Sequence, residues 1–240
     1  MNKQPIHQLD SDAILTYLRK NLNEQRPITL YNIYHDIPIT YEADVAMVHP
    51  DYVGIVVHPY QTVCIREDRC TYIESKFIPE LVCACPVSID YTNHVVLFNQ
   101  LRVPEDIPQN LFHSWVIPDE PARADIGSDH TDDFIAKIEK IAMLNDNRVR
   151  IVAEVPVQAS YVPQEVIELT FRLEKGGDLI QVQGVVCSAM AVKGLEDRQR
   201  LDVEGRATMG DEISILAYIA KREDEIMGKL DKAYRTLRKG

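Results

Sequence analysis

Hydrophobic and polar positions follow two rhythms along this chain. In residues 10–25, DSDAILTYLRKNLNEQ, the side chains Ile14, Leu15, Leu18 and Leu22 return at helical spacing on one face. Asp10 or Ser11 is placed to cap the start, and Pro27 stands just past the end. From Ile28 the period shortens towards two. Residues 40–48, 53–57, 61–66, 70–74, 81–90 and 93–98 are short, β-branched and close to alternating. His49-Pro50-Asp51, His58-Pro59 and Glu67-Asp68 read as turns between them. Six strands at that spacing predict a small antiparallel barrel or sandwich.

Residues 102–132 break the pattern. RVPEDIPQN and IPDEPARADIGSDHTDD are rich in proline and acid, with LFHSWVI between them. That composition predicts an interdomain linker with one strand docked around Trp115, open to protease at 119–130. A second run of strands follows at 134–143, 148–155, 165–173, 179–190 and 199–205, with Gly176-Gly177-Asp178 as a hairpin signal. From Asp211 to Lys239 the pattern is helical without a break, enough for roughly 43 Å of helix. The expected fold class is mainly β with helices at both ends: two small antiparallel β-barrels and a long C-terminal α-helix. The divisions are 1–27 for the N-terminal helix, 28–101 for the first barrel, 102–132 for the linker, 133–210 for the second barrel and 211–240 for the final helix.

The final helix carries its own signal. Leu216, Leu230 and Leu237 share one line, and Ile219, Ile226 and Ala233 share the adjacent one, forming a seam interrupted only by Glu223. ISILAYIA is apolar nearly all round and is expected to cap the second barrel. The following half is charged outside the seam, which predicts pairing with a second copy of the chain in a symmetric dimer. The alternative is that the stripe folds back onto the chain's own N-terminal barrel.

The formal charge of −11 argues against wrapping nucleic acid, which requires clustered Lys and Arg. No segment approaches the roughly 18 apolar residues of a membrane span, and the first residues lack the apolar core of a signal peptide, so a cytoplasmic location is expected. Five cysteines, an odd number without framework spacing, fit that expectation. Cys83-Ala84-Cys85 puts two thiols on one strand face, but Cys64 and Cys70 offer no second pair at zinc-ligand spacing. The reading is buried cysteine as a small hydrophobe, with no metal. No serine sits in a Gly-x-Ser-x-Gly elbow and no glycine-rich phosphate loop is present, so no enzyme activity is expected. The most basic stretch is NRVRIV (147–152), where Arg148 and Arg150 project from one strand face and could clamp a phosphate. The competing reading pairs them with carboxylates such as Glu154 or Glu168 across the sheet.

EVIELTFRL (165–173), LIQVQGVV (179–186), RLDVE (200–204) and DEISILAYIAKREDEIM (211–227) together resemble the C-terminal half of PilZ domains. These are bacterial barrels, many of which bind cyclic di-GMP. PITYEADVAMV (38–48), VGIVVHPYQTVCI (53–65), TYIES (71–75) and LVCACPVSID (81–90) look like the barrel that precedes the ligand-binding one in flagellar-brake-type proteins. The resemblance spans roughly residues 28–230. It implies a ligand site built from Arg-x-x-x-Arg before the barrel and (Asp/Asn)-x-Ser-x-x-Gly on an early strand. This chain contains no Arg-x-x-x-Arg, and none of its eight serines follows Asp or Asn by two. Where the second motif is expected stand Asn145-Asp146-Asn147-Arg148, and the linker offers only Arg102 and Arg123. The resemblance therefore implies a degenerate PilZ-type signalling adaptor that docks to another protein. The alternative is an unorthodox cyclic di-GMP site using Arg148, Arg150 and Arg123. A third reading, a flavin-binding split barrel, needs phosphate-holding basic or Ser/Thr clusters that are missing here, so no cofactor is expected.

Overall fold

A computed structural model describes residues 9–118, 123–128, 131–159 and 161–238. They form two compact units: residues up to Phe112 together with those from Ile226 onward, and His113–Glu225.

The first unit opens with α1 (Ser11–Asn23), whose N-cap Asp10 accepts a hydrogen bond from the Ala13 backbone N–H at 2.8 Å. The strands are β1 (Ile28–Tyr34), β2 (Ile37–Val48), β3 (Val53–Val56), β4 (Thr71–Glu74), β5 (Val82–Asp90) and β6 (Val95–Arg102). They close as a barrel in the order β1-β2-β3-β6-β5-β4. The apolar stripe of α1, with Ile14 and Leu18 fully buried, joins Ile28, Leu30, Ile55 and Phe98 in the core. Each such side chain contributes about 1.5–3 kcal/mol by leaving water.

Two features of this barrel depart from the sequence reading. Strand β1 was not among the expected strands, although its burial alternates without a break. Residues 61–66, expected as a strand, lie within α2 (Pro59–Asp68). His58-Pro59, expected as a turn, is the N-cap and first residue of that helix, and Arg69 ends it in the left-handed region at φ 57°. Gln61 through Ile65 are all buried, so α2 has no amphipathic period to read.

The second unit contains β7 (Trp115–Val116), β8 (Arg123–Ser128), β9 (Thr131–Met143), β10 (Val149–Pro156), β11 (Val166–Phe171), β12 (Ile180–Val192) and β13 (Leu195–Ala207). The ring β10-β13-β12-β11-β8-β9 is closed by pairing of β9 with β10, and β7 adds to β9. The fold is thus mainly β, with two closed six-stranded antiparallel barrels and a long helix, α3 (Met209–Leu237). The expected linker 102–132 is corrected: it contains β7, β8 and the start of β9. Of the stretch expected to be open to protease, 123–128 is strand, while 119–122 and 129–130 lie outside the described residues.

Helix α3 serves both units. Ile215, Tyr218 and Ile219 are buried, and residues up to Glu225 belong with the second barrel. From Ile226 the helix belongs with the first: Ile226 is 7% and Leu230 0% exposed. The Tyr60 hydroxyl donates to Asp231 Oδ1 at 3.1 Å, and His94 Nε2 shares a 2.9 Å hydrogen bond with the Tyr234 hydroxyl. The seam expected to pair with a second copy is therefore occupied at Ile219, Ile226 and Leu230 inside the chain. Ala233 and Leu237 are half-buried, and only Leu216 of the six is exposed, at 47%. From Ile226 the stripe packs within the first unit, as the fold-back alternative expects. Among the described residues no helix is long and apolar enough to cross a membrane.

Candidate functional site

The turn joining β9 to β10 holds Asn145-Asp146-Asn147-Arg148, where the resemblance to PilZ domains places its second motif. Leu144 N–H donates to the Arg148 carbonyl at 2.7 Å, Asn147 N–H donates to the Leu144 carbonyl at 3.1 Å, and Asn147 takes a φ of 61°. In β10 the residues Val149, Ile151, Ala153 and Val155 point into the barrel, which leaves Arg148, Arg150, Val152 and Glu154 on the outer face. The structure thus brings Arg148 and Arg150 together on one face.

Both guanidiniums are already engaged. Arg150 Nε donates to Asp202 Oδ1 at 2.8 Å and its Nη2 to Oδ2 at 2.5 Å, a bidentate fork, and the two side chains are 21% and 18% exposed. That pair pushes the Arg150 guanidinium further above its usual range. The Trp115 ring lies 5.9 Å from the centre of the same guanidinium. Arg148 Nε donates to Asp146 at 2.5 Å, and its Nη1 pairs with Glu204. The expected partners Glu154 and Glu168 are not the ones used: Glu154 pairs with Arg198 at 3.7 Å, while Arg200 Nε donates to Glu139 at 2.6 Å. The outer face of β9, β10 and β13 is a ladder of alternating charge. Three carboxylates, Asp146, Asp202 and Glu204, pair with the two guanidiniums of Arg148 and Arg150.

Arg123 is not part of this cluster. Its position on β8 is opposite Lys137, and Lys137 is opposite Glu154 on its other edge. Glu154 is four residues along β10 from Arg150, about 13 Å at the usual strand rise.

Beside the ladder lies an open groove of about 900 Å³, lined by Arg148, Arg206, Glu168, Glu204, Gln181 and Gln183. Gly184 and Gly205, paired across β12 and β13, form its floor. Its walls come from the consecutive strands β11, β12 and β13, with Arg148 just before β10. Among the described residues no group of three or more His, Cys, Asp or Glu side chains is placed to hold a metal ion.

No protein-family model matches the chain, and neither does any curated protein. Solved structures do align with it. The inhibitor of motility MotI/DgrA of Bacillus subtilis is 12% identical over 83% of this chain and 96% of its own, with a TM-score of 0.40. YcgR of Escherichia coli, in complex with c-di-GMP, is 11% identical over 94% and 96%, with a TM-score of 0.43. MrkH of K. pneumonia in its apo state is 11% identical over 92% and 97%, with a TM-score of 0.41.

Proposed function

We propose that this chain is a non-catalytic signalling adaptor of degenerate PilZ type, which works through protein contacts and does not hold cyclic di-GMP in the family's usual way. The observation that carries this reading is the engagement of Arg148 and Arg150 by Asp146, Asp202 and Glu204. A phosphate arriving there must displace charge-assisted hydrogen bonds worth about 1.5–3 kcal/mol each. Docking to a partner is supported by the apolar side chains that α3 leaves in solvent: Met209, Ile213, Leu216 and Ala220, at helical spacing along one side. Calorimetric titration of the full chain with cyclic di-GMP tests the reading. No binding is expected at micromolar concentrations; saturable binding at low micromolar ligand would overturn it.

One observation favours a second reading, a cyclic di-GMP receptor with a non-standard site. Arg206 shares the 900 Å³ groove with Arg148 and makes no ion pair among the described residues. If the titration shows binding, Arg206→Ala should abolish it under this reading, whereas Arg123→Ala should leave it unchanged.

A further inference from the structure

Three thiols separated in the sequence meet on the outer face of the first barrel. In β4, Thr71 and Ile73 are fully buried, so Tyr72 takes the outer side, and Cys70 is the half-buried residue just before the strand. In β5, Val82 and Ala84 are fully buried and Cys83 and Cys85 take the outer side. The register pairs Tyr72 with Cys83 and Thr71 with Ala84. Cys70 and Cys85 are each the next residue beyond that last pair, where a continued register would set them opposite one another. Directly opposed residues of antiparallel strands hold their Cα atoms about 4.5–5.5 Å apart. A disulfide requires about 4.4–6.8 Å. Cys83 is diagonal to Cys70, at about 7–8 Å, and falls outside that window.

The surroundings separate the roles of these thiols. Arg102, paired in register with Cys83, hydrogen-bonds its sulfur. Burial pushes the Cys70 thiol up to about 11, with Cys83 and Cys85 adding to the effect. Cys85 is half-buried on the same face. Cys64, inside α2, is fully buried, and Cys187 is exposed on the second barrel.

A cleft of about 290 Å³ adjoins the pair, with Arg66 and Arg69 on one side and Pro86, Ser88 and Tyr91 on the other. Arg69 immediately precedes Cys70 and Pro86 immediately follows Cys85, so two lining residues of the cleft are chain neighbours of the pair. Among the described residues neither Arg66 nor Arg69 makes an ion pair. The ladder on the second barrel has a carboxylate for each of its arginines, and this cleft has none in its lining. Two guanidiniums lining one cleft suit a small anion carrying more than one carboxylate.

We propose that Cys70 and Cys85 form a reversible dithiol–disulfide couple that exchanges with small anionic disulfides of the glutathione class, drawn in by Arg66 and Arg69. Cys85, as thiolate, attacks one sulfur of the small disulfide; that S–S bond breaks, one small thiolate leaves and a mixed disulfide forms on Cys85. Cys70 then gives up its proton and attacks Cys85 Sγ. The mixed S–S bond breaks, the second small thiolate leaves and the Cys70–Cys85 bond forms. The protein dithiol loses two electrons, the small disulfide gains them, and both protons end on the released thiols. Cys70, whose thiol is held in the protonated form by burial, is the resolving thiol, and Cys83 remains reduced beside Arg102.

The experiment treats the reduced full chain with oxidised glutathione, quenches by alkylation and maps the peptides by mass spectrometry. Cys70 and Cys85 peptides should be recovered cross-linked, and excess reduced glutathione should release them. Cys70→Ser should stop the reaction at a mixed disulfide on Cys85. Arg66→Glu combined with Arg69→Glu should slow the reaction with oxidised glutathione about tenfold while leaving that with neutral hydroxyethyl disulfide unchanged. Recovery of Cys70 and Cys85 in alkylated form while Cys187 carries the glutathione would overturn the couple, as would a Cys83–Cys85 link in its place. Equal rates for the arginine variant and the native chain with oxidised glutathione would overturn the role of the cleft.

Discussion

The ring of His58 accepts a hydrogen bond from the Tyr60 backbone N–H at 3.3 Å through Nδ1, which caps α2. It stacks on Tyr41 with centroids 3.6 Å apart and meets the edge of Tyr60 at 5.1 Å. Burial lowers its pKa below the ordinary 6.5, and the nearby charge of His94 lowers it further. The fold therefore favours the neutral ring, since a protonated Nδ1 cannot accept the capping bond. With the folded value below the unfolded one, this stabilisation is complete above the unfolded pKa and is lost as pH falls through the folded one. Urea denaturation should show the first barrel weakening as pH drops below about 6.5, and His58→Asn, which keeps a capping acceptor, should reduce that dependence. At neutral pH His58→Ala should cost about 1 kcal/mol. From sequence, His58-Pro59 passed for a turn because the capping signal and the turn signal use the same two residues. Likewise, the shared face of Arg148 and Arg150 was legible from strand alternation, but their partners were not. Asp202 is 52 residues from Arg150, and only the pairing of β10 with β13 brings them together.

Strands β12 and β13 come closest where Gly184 faces Gly205. A Cβ on Gly205 would lie 2.3 Å from the Gln183 carbonyl oxygen and 2.6 Å from Gly184 Cα, both main-chain atoms. No side-chain rotation relieves that clash, so the pairing itself must shift. Gly205→Ala should destabilise the second barrel by about 1–3 kcal/mol, read as a lower denaturation midpoint with little change in slope. Elements with regular alternation and clear turn signals, such as β10 to β13 and the Gly176-Gly177 hairpin, were readable in the sequence. So was the length of α3. Two kinds of element were hidden. Helix α2 is buried over five consecutive residues, which erases its period. Strand β8 places Ala124 and Ile126 in the core, inside a proline- and acid-rich stretch that reads as linker.

Across the whole molecule, the first unit is discontinuous: its barrel is built from residues before Phe112, and its last helical segment begins at Ile226. Leu230, fully buried, anchors that segment together with the Asp231 and Tyr234 hydrogen bonds. Leu230→Ala should destabilise the first barrel by about 2–5 kcal/mol. Light scattering should find the molar mass unchanged by the same substitution, because the side chain fills its own chain's core rather than a partner's. This arrangement has a consequence for synthesis. Domains commonly fold as they emerge from the ribosome, N-terminal first. Here the barrel begun first is completed last: all of His113–Glu225 is translated, and free to fold, before Leu230 and Tyr234 exist. Throughout that interval the nascent first barrel presents the apolar surface that Leu230 will cover, a window for chaperone capture or premature aggregation that closes only when the end of α3 arrives.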